Sequence, residues 1–290
     1  MPIDQRGPVI QGALLRSKLT RLRKDNSLTQ DEVAAELEWH TSKLIRIEGG
    51  RTGISRQDLE ALARRYGVTD PGEIDELIRL NQGARSKAWW DEFKDDVSEA
   101  YLTYVGFEAG ANFVRQFQPL AVPGLLQTRE YAETLAFGEV DAIRVGQRVK
   151  LRLKRQESLK DRENPPHELF VLDEAVIRRK VGIRTNPAIM PMQLRHIVDT
   201  AQANNLIKVR VLPFCVGAHV GMVRGAFTLL EFNGGLGELL HLESGTSETT
   251  LMGEDGRIAD ARDDFEAILA EALSPTDSLS FITQVADEMG

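Results

Sequence analysis

Residue types that support covalent or metal chemistry are sparse in this chain of 290 residues. The five histidines show neither a His-x-x-x-His spacing nor a cluster of metal ligands. The one cysteine, Cys215, lies in the apolar context Pro-Phe-Cys-Val, which favours a buried, inert thiol over a nucleophile. A Gly-x-Ser-x-Gly elbow, a phosphate loop and a dinucleotide fingerprint are all absent. We therefore expect no enzyme, no metal site and no cofactor.

One glycine-rich segment is the strongest candidate for a ligand or partner site. It runs from residue 217 to 225 and carries His219 and Arg224. Asp173 and Glu174 are the other side chains that we assign to this candidate site. The alternative is that these glycines serve only a turn between two strands.

Charge is unevenly distributed along the chain, whose net charge is -8. Residues 1–66 contain 12 Lys and Arg against 9 Asp and Glu, whereas the rest of the chain contains 24 against 35. Residues 11–24 hold five basic side chains and no acid. A basic first part on an acidic body suits a protein that binds nucleic acid, although a run of charges is also typical of a solvated face.

Length and composition indicate two globular domains, which we place at residues 1–82 and 83–290. Hydrophobic residues make up 42% of the chain and charged residues 28%, as in ordinary globular proteins. No apolar stretch approaches the roughly 20 residues that a membrane helix needs. The first residues, MPIDQRG, contain no apolar signal region. We therefore expect a cytoplasmic protein that does not contact membranes.

Helical spacing of apolar residues dominates the first 80 residues, where we predict five short helices. Thr29 and Glu32 form a capping box at the start of the second helix. Residues 38–40 interrupt the pattern before a third helix that buries Leu44 and Ile47. Residues 55–58 and 70–73 carry the start signals of two more helices.

This segment, LLRSKLTRLRKDNSLTQDEVAAELEWHTSKLIRIEGGR, closely resembles the Xre, or lambda-repressor-like, helix-turn-helix family. The residues that carry the resemblance are Leu19, Leu22, Arg23, Leu28, Thr29, Gln30, Val33, Ala34, Leu37, Ser42, Arg46, Ile47, Glu48 and Gly50. One position departs from the family pattern, because Glu38 stands where the family usually has glycine in the turn. A side chain there implies left-handed backbone strain of about 1 kcal/mol.

The third helix, Thr41–Glu48, is the expected recognition helix in the DNA major groove. At about 100° per residue, Leu44 and Ile47 mark a buried face and leave the opposite face for base edges. The predicted base contacts are Thr41, Ser42, Ile45 and Arg46. Lys43 and Arg51 are predicted to contact phosphates. The resemblance places Thr29 and Gln30 at the phosphate backbone too. Each contact has an alternative: Arg46 pairing with Glu48, Ile45 in the core, or Gln30 as an ordinary helix residue.

Strand and helix patterns alternate in the second domain, for which we predict an α+β fold. The predicted strands are residues 168–172, 207–212, 226–232 and 238–243, which gives a small sheet of about four strands. Residues 84–104 are typical of a helix or connector, and residues 117–123 of an extended, proline-interrupted segment. Helices are predicted at residues 128–137, 142–161, 188–202 and 257–272, with a last one after Ser274-Pro275. The second of these helices is basic, which suits a phosphate surface, a solvated face or an interface for an acidic partner.

Several segments of this domain also resemble a family. YVGFEAGANFVRQFQPLAVPGLLQTREYAETL, VLDEAVIRRKVG and RVLPFCVGAHVGMVRGAFTLLEF look like the uncharacterised C-terminal domain that follows Xre-type helices in many actinobacterial regulators. The resemblance implies an antitoxin-like regulator, often paired with a small partner protein encoded beside it. It supplies no ligand and no catalytic residue.

Three hypotheses follow for function. The leading one is a regulator that binds double-stranded DNA as a homodimer through helix-turn-helix domains, with a C-terminal domain for dimerisation and for a partner or effector. The second is an enzyme or ligand-binding protein in which DNA binding is secondary. The third is a signalling scaffold whose main role is its partner. Salt-dependent DNA affinity, turnover without DNA, and a complex that survives removal of the first domain distinguish the three.

Overall fold

A computed structural model describes residues 7–136, 142–244, 247–253 and 255–290. The chain divides into two compact units, Met1–Asp91 and Glu92–Gly290. The first is helical and the second combines a sheet with helices, so the predicted α+β fold class is confirmed. Across the described ranges, no helix combines the length and the apolar character needed to span a membrane.

The first unit is built from short helices whose starts are fixed by side-chain caps. Thr29 accepts a hydrogen bond from the backbone of Glu32, as Ser55 does from Asp58 and Asp70 from Glu73. All three predicted starts are therefore confirmed. The helices are α1 (Pro8–Asp25), α2 (Gln30–Glu36), α3 (Thr41–Glu48), α4 (Arg56–Arg65) and α5 (Pro71–Gly83).

The interior of the first unit is aliphatic. Leu19, Leu44, Leu59 and Leu62 are each at most 1% exposed. Burying a leucine contributes about 1.5–3 kcal/mol, so these side chains hold the short helices together where helix propensity alone does not. Leu22, on the predicted apolar stripe of α1, is only half-buried.

A 3-10 turn at Trp89–Phe93 contains the division between the units, and the first α-helix of the second unit is α6 (Glu99–Glu108). Its strands are β1 (Phe113–Gln118), β2 (His167–Asp173), β3 (Ile207–Leu212), β4 (Phe227–Phe232), β5 (Gly237–Ser244) and β6 (Ser247–Met252). Its other helices are α7 (Arg129–Ala136), α8 (Ala142–Lys160), α9 (Glu174–Arg178), α10 (Ile189–Ala203), α11 (Gly221–Arg224), α12 (Gly256–Glu271) and α13 (Pro275–Met289).

The strands of the described residues form one mixed sheet in the order β3-β2-β1-β4-β5-β6. β1, β2 and β3 are parallel, whereas β4, β5 and β6 are each antiparallel to a neighbour. We call the side of the sheet at which β1, β2 and β3 end the carboxyl edge. Residues 213–226, here the crossing loop, leave β3 and must pass the ends of β2 and β1 to reach β4.

Helices cover both faces of this sheet. On one face, α10 and α13 pack over Phe170 and Leu172 of β2. On the other face, α12 packs with Phe265 against Phe227 and Leu229 of β4. Because both faces are covered, β2 has a nearly continuous apolar run instead of an alternating pattern.

The predicted number of strands is wrong, because the sheet has six strands and not about four. The four predicted strands and the helices from residue 142 onward match to within one residue at each end. β1 and β6 were missed. β1 falls largely before the extended segment predicted at residues 117–123, and its buried side chains include Gln116 and Gln118. Residue 137 of the predicted helix 128–137 lies outside the described residues.

A buried polar cluster lies where α6 and α8 cover the sheet. Arg155 of α8 donates to both carboxylate oxygens of Glu108 at 2.8 and 2.7 Å, and the Tyr104 hydroxyl donates to the same carboxylate at 2.8 Å. Tyr104 stacks on His241 of β5 with ring centroids 3.9 Å apart. Burial and Arg155 lower the pKa of His241 to about 4, so this imidazole is neutral at physiological pH. Part of the basic charge of α8 is therefore used inside the domain.

Glu168 of β2 is a further buried carboxyl group, and its pKa is raised by its surroundings. Burial, and secondarily the charge of Glu108, raise its pKa from 4.5 to about 8. The carboxyl group is neutral in both the folded and unfolded chain at low pH. As pH rises through the interval from 4.5 to about 8, the unfolded chain ionises freely and the folded chain does not, so stability is lost across that interval.

We predict that Glu168→Gln removes this loss. The free energy of unfolding of the variant, relative to wild type, should rise by on the order of a few kcal/mol between pH 5 and pH 8. Urea unfolding at a series of pH values measures the difference. Glu163→Gln, at an exposed carboxylate, is the matched control and should show no such trend. An equal offset for Glu168→Gln at every pH would contradict the prediction.

Candidate functional site

The turn between α2 and α3 fixes the direction in which α3 leaves the domain core. α2 ends at Glu36, and the Trp39 amide donates to the carbonyl of Ala34 at 2.7 Å. Glu38 has a φ of 55°, so the left-handed turn expected at this departure from the family pattern is confirmed. The turn is formed at the strain cost that a residue other than glycine carries there.

The register predicted for α3 is also confirmed. Leu44 is 0% exposed and Ile47 is 4% exposed. Ser42, Ile45 and Arg46 are exposed on the other side, and Thr41 is half-buried at the helix start. Ile45 is 46% exposed, so the alternative that it belongs to the core is wrong. α3 therefore presents a hydroxyl group, an apolar side chain and a guanidinium group on one outward face.

Arg46 keeps its guanidinium available on this face. In the parts of the chain that the structure describes, its side chain makes no hydrogen bond and no ion pair. Glu48, the partner proposed as an alternative, is occupied elsewhere, because its carboxylate accepts two hydrogen bonds from Arg23 at 2.7 and 2.9 Å. Intramolecular pairing with Glu48 therefore does not explain Arg46.

The Glu48 carboxylate joins three helices. Besides Arg23 of α1, it accepts a hydrogen bond at 2.7 Å from the side-chain amide of Gln30 at the start of α2. The Arg23–Glu48 side chains are only 13% and 6% exposed, so solvent screens this ion pair little. Its hydrogen bond to Glu48 raises the pKa of Arg23 above its ordinary value.

The four side chains predicted to contact phosphates differ in their intramolecular partners. Gln30 binds Glu48, and the hydroxyl group of Thr29 is used in the capping box with Glu32. Lys43 lies 3.0 Å from a carboxylate oxygen of Asp58 and 3.7 Å from the ring centroid of Trp39. Arg51 is exposed just after α3, and within the described ranges its side chain has no partner. Arg51 is thus the least constrained of the four.

The partners of these side chains were not identified from sequence. Arg23 was named only as a family match, and Glu48 only as a family match and as an alternative partner of Arg46; the two residues lie 25 positions apart. Helical periodicity relates residues within one helix and therefore could not pair Arg23 with Glu48. Asp58 was identified only as part of a helix start, although it faces Lys43.

The second candidate site is partly assembled by the crossing loop. His219 Nε2 lies 3.3 Å from Asp173 Oδ2 at the end of β2. Glu174, 6% exposed, accepts a hydrogen bond at 2.7 Å from the Phe214 amide and one at 2.5 Å from Arg178. Asp173, Glu174 and His219 therefore lie together at the carboxyl edge.

Arg224 is directed elsewhere, because it pairs with Asp264 of α12. The glycines of the loop have the structural role stated as the alternative. A side chain at Gly221 would come within about 2.5 Å of the Phe117 ring, and Gly217 has a φ of 75°. The prediction of a buried Cys215 is wrong, because this thiol is exposed on a one-turn helix of the loop.

Comparison with known proteins agrees with this division. Residues 14–77 match the family model of a helix-turn-helix domain. The capped α2, the left-handed turn and the outward face of α3 are the geometry of that class, which points to a regulator that binds DNA.

Residues 101–284, more than half of the chain, match the domain of unknown function DUF5753. The chain belongs to this family. No curated protein and no solved structure matches the chain.

We predict that Glu48→Ala destabilises the first unit by about 3–5 kcal/mol, because it leaves Arg23 without its carboxylate in a largely buried position. Urea unfolding of the full chain, followed by Trp fluorescence, measures the change. The control is Glu60→Ala, which removes an exposed ion pair with Arg56 and should cost less than about 0.5 kcal/mol. Similar losses for the two variants would show that Glu48 has no special role.

Proposed function

We propose that this chain is a sequence-specific regulator that binds double-stranded DNA with α3 in the major groove. The observation that carries the proposal is the outward face of α3, on which Arg46 has an exposed guanidinium group without an intramolecular partner among the described residues. A helix fits the major groove, where each base pair shows a distinct pattern of donors, acceptors and methyl groups.

The side chains of this face have different roles in the proposal. Arg46 donates two hydrogen bonds to a guanine, Thr41 and Ser42 donate or accept at base edges, and Ile45 contacts a thymine methyl group. Lys43 and Arg51 contact phosphates, and Thr29 and Gln30 lie at the phosphate backbone. The net basic charge of residues 1–66 supports binding of this part of the chain to DNA phosphates.

The second domain, in this proposal, has no catalytic role. It holds two copies of the chain together and receives a small partner protein or an effector, as in an antitoxin-like regulator of the Xre type that acts in the cytoplasm. The bonded group of Asp173, Glu174 and His219 supports a structural role for these residues in holding the crossing loop.

Arg46→Ala and Lys43→Ala should affect DNA binding differently. Arg46→Ala should weaken binding to the cognate site by about 1–3 kcal/mol and relax discrimination at one base position. Lys43→Ala should weaken cognate and random DNA about equally and lower the slope of log affinity against log salt by about one. Fluorescence anisotropy on cognate and random duplexes at several salt concentrations separates the two effects.

The two variants also differ in expected stability. Arg46→Ala should unfold as wild type does, whereas Lys43→Ala loses contacts with Asp58 and Trp39 worth about 1 kcal/mol. Equal loss of cognate and random binding in Arg46→Ala would refute the assignment of Arg46 to a base. An affinity of wild type that does not change with salt would refute DNA binding itself.

A dimer should recognise a two-fold symmetric site. One short helix reads only a few base pairs, so we expect half-sites about 34 Å apart or a multiple of that distance. Footprinting on a selected site, together with the mass of the complex in solution, tests this. A monomer saturating a single half-site is the outcome that would exclude it.

A further inference from the structure

Exposed apolar side chains concentrate at the carboxyl edge of the second unit. Among the described residues, seven large hydrophobic side chains are exposed, and one of them is Ile45 on α3. The other six lie in segments that the topology of the sheet places at this edge: Leu120, Ile183, Met192, Phe214, Met222 and Val223. Single exposed hydrophobic residues are normal on a protein surface, but several at one edge indicate an interaction site.

The topology of the sheet brings these residues to the same edge. Leu120 follows the end of β1, and Ile183 follows α9, which begins directly after β2. Phe214, Met222 and Val223 belong to the crossing loop, in which Val223 is 91% exposed. Met192 lies in the first turn of α10, where the neighbouring Gln193 donates to the carbonyl of Leu126 beyond β1.

The same edge carries three exposed cations that have no ion-pair partner among the described residues. Arg179, Lys180 and Arg184 are exposed, and their side chains form no ion pair with any residue that the structure describes. The acidic side chains nearby are already paired. Glu174 and Glu288 both bind Arg178, at 2.5 and 3.3 Å.

The crossing loop is held in place by contacts with residues at the ends of β1 and β2. His219 contacts Asp173, and the Phe214 amide donates to Glu174. Gly221 lies directly against the Phe117 ring. Because these contacts order the loop in advance, the loop would lose little additional conformational entropy when a partner binds it.

We propose that the carboxyl edge docks an acidic, apolar segment of a partner protein. The apolar side chains of that segment contact Phe214, Met222 and Val223, and its carboxylates meet Arg179, Lys180 and Arg184. This inference rests on the partner-binding role proposed above for the second domain, and it names the surface and the chemistry of that role.

Charge favours this occupant over a second copy of the chain and over a membrane surface. In a two-fold interface between identical copies the same patch lies on both sides, so a second copy offers no surplus of acidic side chains to Arg179, Lys180 and Arg184. A bilayer of anionic lipids attracts an excess of positive charge, whereas residues 67–290 carry 35 acidic against 24 basic side chains. An acidic segment confined to the edge avoids both disadvantages.

The test uses the full chain and two synthetic amphipathic peptides of about 18 residues, roughly 27 Å of helix. Both have the same Leu, Phe and Met face, and the polar face is Glu in one and Lys in the other. By fluorescence anisotropy, the Glu peptide should bind at least about tenfold more tightly than the Lys peptide. Combined Arg179→Glu, Lys180→Glu and Arg184→Glu should reverse this preference. Combined Phe214→Ser and Val223→Ser should weaken both peptides about tenfold.

The control variant is Lys208→Glu, which changes an exposed cation near the start of β3, at the opposite end of the parallel strands. It should not change peptide affinity. Binding of the full chain to DNA is measured in parallel, so that loss of the DNA-binding function is distinguished from loss of the docking surface.

Five outcomes would overturn the docking proposal. The first three are absence of peptide binding, equal affinity for the two peptides, and edge variants that bind as wild type does. The fourth is dissociation of a dimer in those variants, which would assign the edge to a second copy. Binding to phosphatidylserine vesicles that the edge variants abolish, without any peptide preference, would assign the edge to a membrane surface and also overturn it.

Discussion

The Glu48 carboxylate is the constraint on which the position of α3 in the first unit depends. It lies at the end of α3 and receives hydrogen bonds from α1 and α2, so it fixes α3 relative to both helices. The largely buried ion pair also explains why Arg46 is available, because the nearest acid along the helix is already occupied. One interaction thus both positions α3 and leaves Arg46, the side chain that we propose to contact a base, without an intramolecular partner among the described residues.

The first unit was largely predictable because its signals are local. The caps at Thr29, Ser55 and Asp70 act within one helical turn, and the burial of Leu44 and Ile47 follows from helical periodicity. What sequence could not supply was contact across the core. The partners of Glu48 and Lys43 come from other helices, and the distance along the chain gives no rule for finding them.

In the second unit, local sequence pattern and composition predicted several features incorrectly. β1 was missed because part of its buried face is polar, with Gln116 and Gln118 where a strand pattern expects apolar residues. Cys215 was expected inside because its neighbours are apolar, but Phe214 beside it is itself exposed. Asp173, Glu174 and His219 were grouped correctly in space, whereas Arg224 was not, because α12 supplies its partner. Composition predicts burial poorly wherever a protein exposes apolar side chains.

The position of β1 has a consequence for how the second unit folds. This central strand pairs on one side with β2 and on the other with β4, whose contact residue Phe227 lies about 110 residues after Phe117. Contacts this distant in sequence slow folding, because the chain must close a long loop before the pairing stabilises it. During synthesis, β1 therefore emerges long before its second neighbour exists. The helical first unit is synthesised in full before β4 exists, so its local contacts can form earlier than the pairing of β1 with β4.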